Sequence, residues 1–218
     1  ANTQMLFVKV EANDLPVASF GKGREVRLGE QVFVARSETE FANSSIARHE
    51  WPTAKAVSSD SPTHFFYAVS TIQPGEIIFN LNGEVIGIAR AEERILPFES
   101  LLPGFRSLLE KKKITHATLG VQSVDLSHAT FISPTLSRGF RNGALLHGAS
   151  AVEKTSPAKT VGLRAGDILL SINGETINET HSLDELISQY HPGEVIQVRF
   201  DREGKQQAVS IMLGEGKE

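Results

Sequence analysis

Ser156-Pro157-Ala158-Lys159-Thr160-Val161-Gly162-Leu163-Arg164-Ala165-Gly166-Asp167-Ile168-Leu169-Leu170-Ser171-Ile172-Asn173-Gly174-Glu175-Thr176-Ile177 is the stretch that decides the fold. Ser156 is placed to cap a short helix, Pro157 fits its first turn, and Gly162 can end it. Leu163 leads into a tight turn at Ala165-Gly166-Asp167. The run Ile168 to Ile172 has the length and branching of a buried strand. Asn173-Gly174 then gives a hairpin turn with positive φ.

Downstream, Ser182-Leu183-Asp184-Glu185 reads as a capping box, with Glu185 placed to reach back to the Ser182 amide. It opens a helix through Tyr190 that stops at His191-Pro192-Gly193. Val195 to Phe200 and Ala208 to Leu213 are strands joined by a turn at Arg202-Glu203-Gly204-Lys205. Gly214 to Glu218 reads as a frayed tail. Upstream, Ala144-Leu145-Leu146 and Ala151-Val152 are strand material around a turn at Gly148. Leu101, Leu102, Phe105, Leu108 and Leu109 recur at helical spacing, so residues 103–112 are expected to form an amphipathic helix ending in Lys111-Lys112-Lys113. A domain boundary is placed after it, giving domains 1–112 and 113–218.

The first of these reads as β structure. Met5 to Val10, Val17 to Phe20, Gln31 to Ala35, Phe65 to Ser70, Ile77 to Asn80 and Val85 to Ala89 are strand or extended runs, with a hairpin at Asn82-Gly83. Together they suit half of a small antiparallel barrel. Residues 37–62 are polar and read as an irregular loop with weak strands. His49, Glu50 and Asp60 lie in it and read as part of a solvated loop, with approach to a cleft as the alternative.

Composition narrows the function. The chain has 218 residues, 26 acids against 22 bases and a formal charge of −4, so no global field draws nucleic acid or an anionic membrane. No segment approaches the roughly 20 apolar residues of a membrane span. With no cysteine there are no disulfides and no thiolate metal sites. The seven histidines (His49, His64, His116, His128, His147, His181 and His191) show no metal-ligand spacing, so no metal and no cofactor is expected. Ser156-Pro157-Ala158-Lys159 matches S-x-x-K, but its partner motifs are missing and Ser156 already has a capping role. Ala1-Asn2-Thr3-Gln4 carries no signal-peptide pattern, and a strand beginning so early is expected to follow a further segment.

The order short helix, "GLRAGD", apolar strand, "ING" resembles the heart of a PDZ domain as found in the HtrA/Deg family of proteases. Three earlier stretches resemble the second barrel of that family's trypsin-like protease domain: residues 15–35 ("LPVASFGKGREVRLGEQVFVA"), 71–89 ("TIQPGEIIFNLNGEVIGIA") and 95–121, the last being similar to the helix that leads from protease to PDZ domain. The resemblance implies a mainly β protein: half of a trypsin-like antiparallel β-barrel followed by an α+β PDZ domain of the permuted, HtrA type. It also implies an extracytoplasmic location.

The departures from the family bear on chemistry. In the family the nucleophilic serine sits in N-S-G-G-P directly after an I-N-P-G segment. Here Ile72-Gln73-Pro74-Gly75 runs straight into Glu76-Ile77-Ile78-Phe79, so the nucleophile and the oxyanion-hole donors of that loop are both missing. The family's triad aspartate aligns with Gln4, which cannot stabilise an imidazolium by charge. The expected protein is a pseudoprotease with no catalytic residue, although its family are serine-type endopeptidases. An enzyme subunit whose missing catalytic parts lie elsewhere is the alternative, and a structural oligomerisation module is a third reading.

The family's carboxylate-binding loop, Y-I-G-V-like, matches Thr118-Leu119-Gly120-Val121. The resemblance implies that a peptide or protein C-terminus with an apolar last residue binds there and adds as a strand beside Gln122 and Ser123. Leu183, Leu186, Ile187 and Tyr190 are the helix candidates for the far wall, although helical spacing cannot turn all four into one groove. The protein is accordingly expected to act as an adaptor, sensor or chaperone-like subunit, with a homo-oligomer possible.

Overall fold

A computed structural model describes residues 8, 10–12, 14–52, 55–130 and 132–217. Gln4 and most of the strand expected at Met5–Val10 lie outside these residues; Val8 and Val10 are exposed.

The first seven strands are β1 (Gln31–Ala35), β2 (Phe41–Glu50), β3 (Val57–Ser58), β4 (Phe65–Ala68), β5 (Ile77–Phe79), β6 (Val85–Ala89) and β7 (Ile95–Pro97). Six of them close into a barrel in the order β1-β2-β4-β7-β6-β5. What the sequence presents as half of a protease-type β structure is thus a closed barrel by itself, and closure removes the sheet edges from that part of the chain. Alternation on β1 turns Val32 and Val34 inward, where they meet Ile46, Phe66, Ile78, Ile86 and Ile95. Gly87 lies where β6 passes closest to β7; a Cβ there would stand 2.6 Å from Ile95 Cγ2 and 2.9 Å from the Leu96 carbonyl. In the expected Asn82-Gly83 turn, the Asn80 carboxamide oxygen accepts from the amides of Asn82 and Glu84.

Residues 37–62 are more regular than the expected loop with weak strands. Ten of them form β2, the longest strand of the barrel. Only Ile46 of that strand is fully buried, because small residues such as Ala42 and Ser44 suffice on its inner face. The hydrophobic alternation that marks a strand in sequence is therefore absent. The strand β3 leaves the barrel altogether.

Helix α1 (Leu102–Lys111) has Pro103 in its first turn and ends at Lys112 in the left-handed conformation. The Ser107 hydroxyl ties its inner face to Thr115, at 2.8 Å from Thr115 Oγ1. Then come β8 (Thr115–Thr118), β9 (Gln122–Asp125), α2 (Pro134–Ser137), β10 (Ala144–Leu146), α3 (Pro157–Thr160), β11 (Ile168–Ile172), β12 (Glu175–Thr176), α4 (Leu183–Ser188), β13 (Val195–Arg202), β14 (Lys205–Met212) and β15 (Gly214–Lys217). The expected frayed tail is corrected: Gly214–Lys217 pair with Thr115–Thr118 as a two-stranded ribbon. The tail's glycines hid this, since Gly216 in particular packs where a Cβ would collide with His116.

The second sheet runs β14-β13-β11-β10-β9-β3, with β12 paired to β11. Its core joins Leu119, Val121, Leu146, Leu163, Leu169, Ile172, Ile196 and Val198 with Leu183, Leu186 and Ile187 of α4. The stretch Ser156–Ile177 holds this core in place. Ser156 caps α3 through the Lys159 amide at 3.2 Å, and Asp167, 1% exposed, accepts from Arg202 Nε and Nη2 at 2.7 and 2.6 Å. A buried carboxylate held bidentately is stable only with its partner in place.

Candidate functional site: a carboxylate-binding groove with an internal occupant

Between β8 and β9 the chain turns through Leu119-Gly120-Val121. Gly120 has φ +73°, and a Cβ there would collide with the Ser156 side chain. The Leu119 carbonyl accepts from Ala158 and that of Gly120 from Glu153, so both carbonyls point back toward α3. The amides of Leu119 and Gly120 point the other way and converge, forming a small concave donor site of the kind that takes a carboxylate.

That site holds Asp60. The Leu119 amide donates to Asp60 Oδ1 at 2.9 Å and the Gly120 amide to Oδ2 at 3.1 Å. The residues leading up to Asp60 complete the arrangement. The Ser59 amide donates to the Val121 carbonyl at 2.9 Å, and the Ser59 hydroxyl, 2.6 Å from Asp60 Oδ1, donates to that carboxylate. In β3, Val57 stands opposite Ser123 and Ser58 opposite Gln122, antiparallel to β9. Past the loop, Thr63 donates through its amide (3.0 Å) and hydroxyl (2.9 Å) to the Asp184 carboxylate in the first turn of α4. Burial raises the Asp184 carboxyl above its ordinary value, against the opposing bonds from Thr63. Loop, edge strand and helix of the groove are each engaged by one segment of the first part of the chain. Between that segment and α4 about 10 Å³ remains, room for about one water molecule.

Of the residues expected to bind peptide, Leu119 and Gly120 supply the donor amides, and Val121, Gln122 and Ser123 face the occupying segment. Thr118 pairs with Gly214 in the terminal ribbon. Leu183 lines the residual space, whereas Leu186 and Ile187 are buried in the core and Tyr190 packs against it, its hydroxyl accepting from Asn173 at 3.0 Å. Sequence pattern does not mark Thr63 or Asp184 as groove residues, and Asp60, expected in a solvated loop, is instead held at the donor loop. The available signal was a carboxylate ending the short β-type run Ala56-Val57-Ser58-Ser59.

His49 and Glu50 are likewise on β2 and not in a loop. Trp51 stacks between His64 (centroids 3.8 Å, planes 1° apart) and His128 (4.2 Å, 10°), and His49 Nδ1 lies 2.9 Å from His64 Nε2. Burial, with the neighbouring His49 and His128, lowers the His64 imidazole to about 3, and burial lowers His49 as well. Asp125 of β9 holds His128 at 3.1 Å, so the stack bridges barrel and second sheet beside the groove. Hydrogen bonding from Tyr67, then the charges of Arg94 and Arg48, keeps the Glu50 carboxyl below its usual range. No grouping of three or more metal-ligating side chains occurs among the described residues.

The segment where the family carries its serine loop is a tight turn. The Gln73 amide donates to Glu76 Oε2 at 2.7 Å and the Gly75 amide to the Ala89 carbonyl at 2.9 Å, so both amides are committed within the fold. Ser156 is committed to its cap and to the Glu153 carbonyl. No helix among the described residues is long and apolar enough to cross a membrane.

A carboxylate-binding loop next to the outer side of a strand and a helix defines a PDZ-type peptide groove, and residues 117–213 match the PDZ domain family. The chain is 30% identical over 224 residues to a probable periplasmic serine endoprotease, DegP-like, of Marinomonas sp. (strain MWYL1), covering 97% of this chain and 47% of that protein. The same-named protein of Hahella chejuensis is 27% identical over 226 residues. Among solved structures, the HtrA-type protease AlgW with decapeptide superposes with a TM-score of 0.61 at 18% identity, over 96% of this chain and 67% of that one. The chain thus carries a PDZ domain and resembles HtrA/Deg-family proteins over nearly its whole length. It spans about half the length of the curated relatives it matches.

Proposed function

We propose that this protein is a proteolytically inactive HtrA-like receptor, extracytoplasmic as its relatives are named, that binds peptide or protein C-termini in its PDZ groove. In this reading domain 1–112 is the degenerate protease barrel and 113–218 the PDZ domain. The reading rests above all on one observation: the Leu119 and Gly120 amides hold a carboxylate. The closed turn at Gln73–Glu76 supports inactivity, because acyl transfer needs a nucleophile and free oxyanion donors where this chain has neither. The test is binding to an array of peptides with free or amidated C-termini, run beside a casein-cleavage assay. Binding that needs the free carboxylate, with no cleavage, is expected. Cleavage that disappears when Ser70 or Ser156 is replaced would overturn inactivity, and binding indifferent to amidation would overturn the receptor.

A second reading is favoured by the occupied groove itself: the domain is a clamp that holds the barrel to the PDZ sheet, or one subunit to the next, and receives nothing from outside. Sizing of the wild type and a groove variant would reveal a subunit-holding role through a change in oligomeric state.

A further inference from the structure

We propose that Val57–Asp60 is a built-in ligand of the groove, its Asp60 carboxylate standing where an incoming chain terminus would place its own, so that external C-termini bind only by displacing it. This rests on the receptor reading above and adds its regulation.

The segment reproduces the strand pairing and the carboxylate contacts that a terminal peptide would make. It runs antiparallel to β9 with its carboxylate at the loop. Its penultimate residue, Ser59, is 3% exposed and donates from the backbone to Val121, while its hydroxyl accepts from the Val121 amide and donates to Asp60, so it puts no apolar side chain where a ligand's last one would go. The difference is chemical. Ser59 is small and polar, and the carboxylate comes from a side chain and not from a chain end. A peptide with an apolar last residue gains buried area that Ser59 does not supply, and its carboxylate takes over the same two amides. Displacement has little to disrupt: β3 has two residues, and the flanking anchor from Thr63 to Asp184 can stay in place while residues 57–60 leave. An internal ligand competes at a fixed effective concentration, and the apparent affinity for an external one falls by the fraction of molecules whose groove is open.

The experiment uses N-terminally fluorescein-labelled decapeptides ending in Val, Leu or Phe, each with its amidated twin, titrated into the whole chain. Asp60→Asn keeps the shape of the occupant and removes its charge. It is expected to bind free-acid peptides at least tenfold more tightly than the wild type, and to bind the amidated twins no better. Amide hydrogen exchange at Leu119 and Gly120 reports the internal contact without any peptide, and is expected to speed up at least tenfold in the variant. A second variant locks the occupant: the chain has no cysteine, and Val57→Cys with Ser123→Cys places two thiols at paired positions. Oxidised, it is expected to bind at least tenfold more weakly than after reduction. Carboxylate-dependent binding equal in wild type and Asp60→Asn, with unchanged exchange, would overturn the built-in ligand and leave the receptor standing. Faster exchange in Asp60→Asn with no peptide binding in any variant would overturn both the displacement and the receptor, leaving a fixed clamp.

Discussion

Acid should loosen this molecule through His64. The ring is 3% exposed, stacked on Trp51 and bonded to His49, and its pKa is lowered from 6.5 to about 3. A base whose folded pKa is depressed takes up its proton in the unfolded chain first. Its contribution is therefore intact above pH 6.5 and is lost progressively as pH falls from 6.5 toward 3. At about 1.4 kcal/mol per unit, the cost is about 2 kcal/mol at pH 5 and about 3 kcal/mol at pH 4. His49 is lowered too and acts in the same direction. Because carboxylates titrate over part of this range, the measurement is a difference: urea midpoints at pH 7.5 and 5.0 for the wild type and for His64→Phe, which preserves a stacking ring without a titrating group. The wild type should lose about 2 kcal/mol more than the variant between the two pH values. Trp51, the only tryptophan, sits between His64 and His128 and reports the stack through its emission. Equal losses in the two proteins would refute the reasoning, since they would show that His64 is as free to protonate in the folded state as in the unfolded one.

Gly120→Ala should destabilise the chain by about 1–3 kcal/mol, because it puts a side chain at φ +73° against Ser156; thermal unfolding reads this, and carboxylate-dependent binding should vanish with it. Arg202→Met leaves Asp167 buried without its bidentate partner and should cost about 3–5 kcal/mol in a denaturant titration. Thr63→Val removes the hydroxyl bond to Asp184 but keeps the amide bond, so a loss of about 1 kcal/mol is expected, with faster exchange of the Thr63 amide. Deleting residues 214–218 strips the ribbon partner of β8 and should speed exchange of the Thr115–Thr118 amides.

The PDZ fold was legible because its signals are local. Ser156 as a cap, Asn173-Gly174 as a hairpin and Ile168–Ile172 as a buried strand each follow from a few neighbouring residues. The barrel was less so. Its strand β2 carries one fully buried residue in ten, so pattern reading mistook it for a loop. The occupied groove was the least legible part. The amides that hold Asp60 lie about sixty residues further along, and a polar Ser-Ser-Asp tripeptide gives no sign that it will be buried against them. Local chemistry could identify the donor loop; only tertiary placement could identify what it holds.

Whether the occupant is a regulator or a fixture depends on energies that the contacts bound. Two charge-assisted amide bonds contribute about 1.5–3 kcal/mol each at most, and ordering residues 57–60 opposes them at about 1–2 kcal/mol per residue. The opposing terms are of similar size, about 3–6 against about 4–8 kcal/mol, so the balance lies within a few kcal/mol of zero and the groove opens in a measurable fraction of molecules. Had the segment been held by a buried apolar anchor, the balance would lie well beyond the reach of a peptide. Ser59 in that position makes the internal ligand a weak one. A closed groove with a weak internal ligand is suited to answering only termini that fill the space better than serine does. That requirement filters ligands by their last residue before any further contact is made.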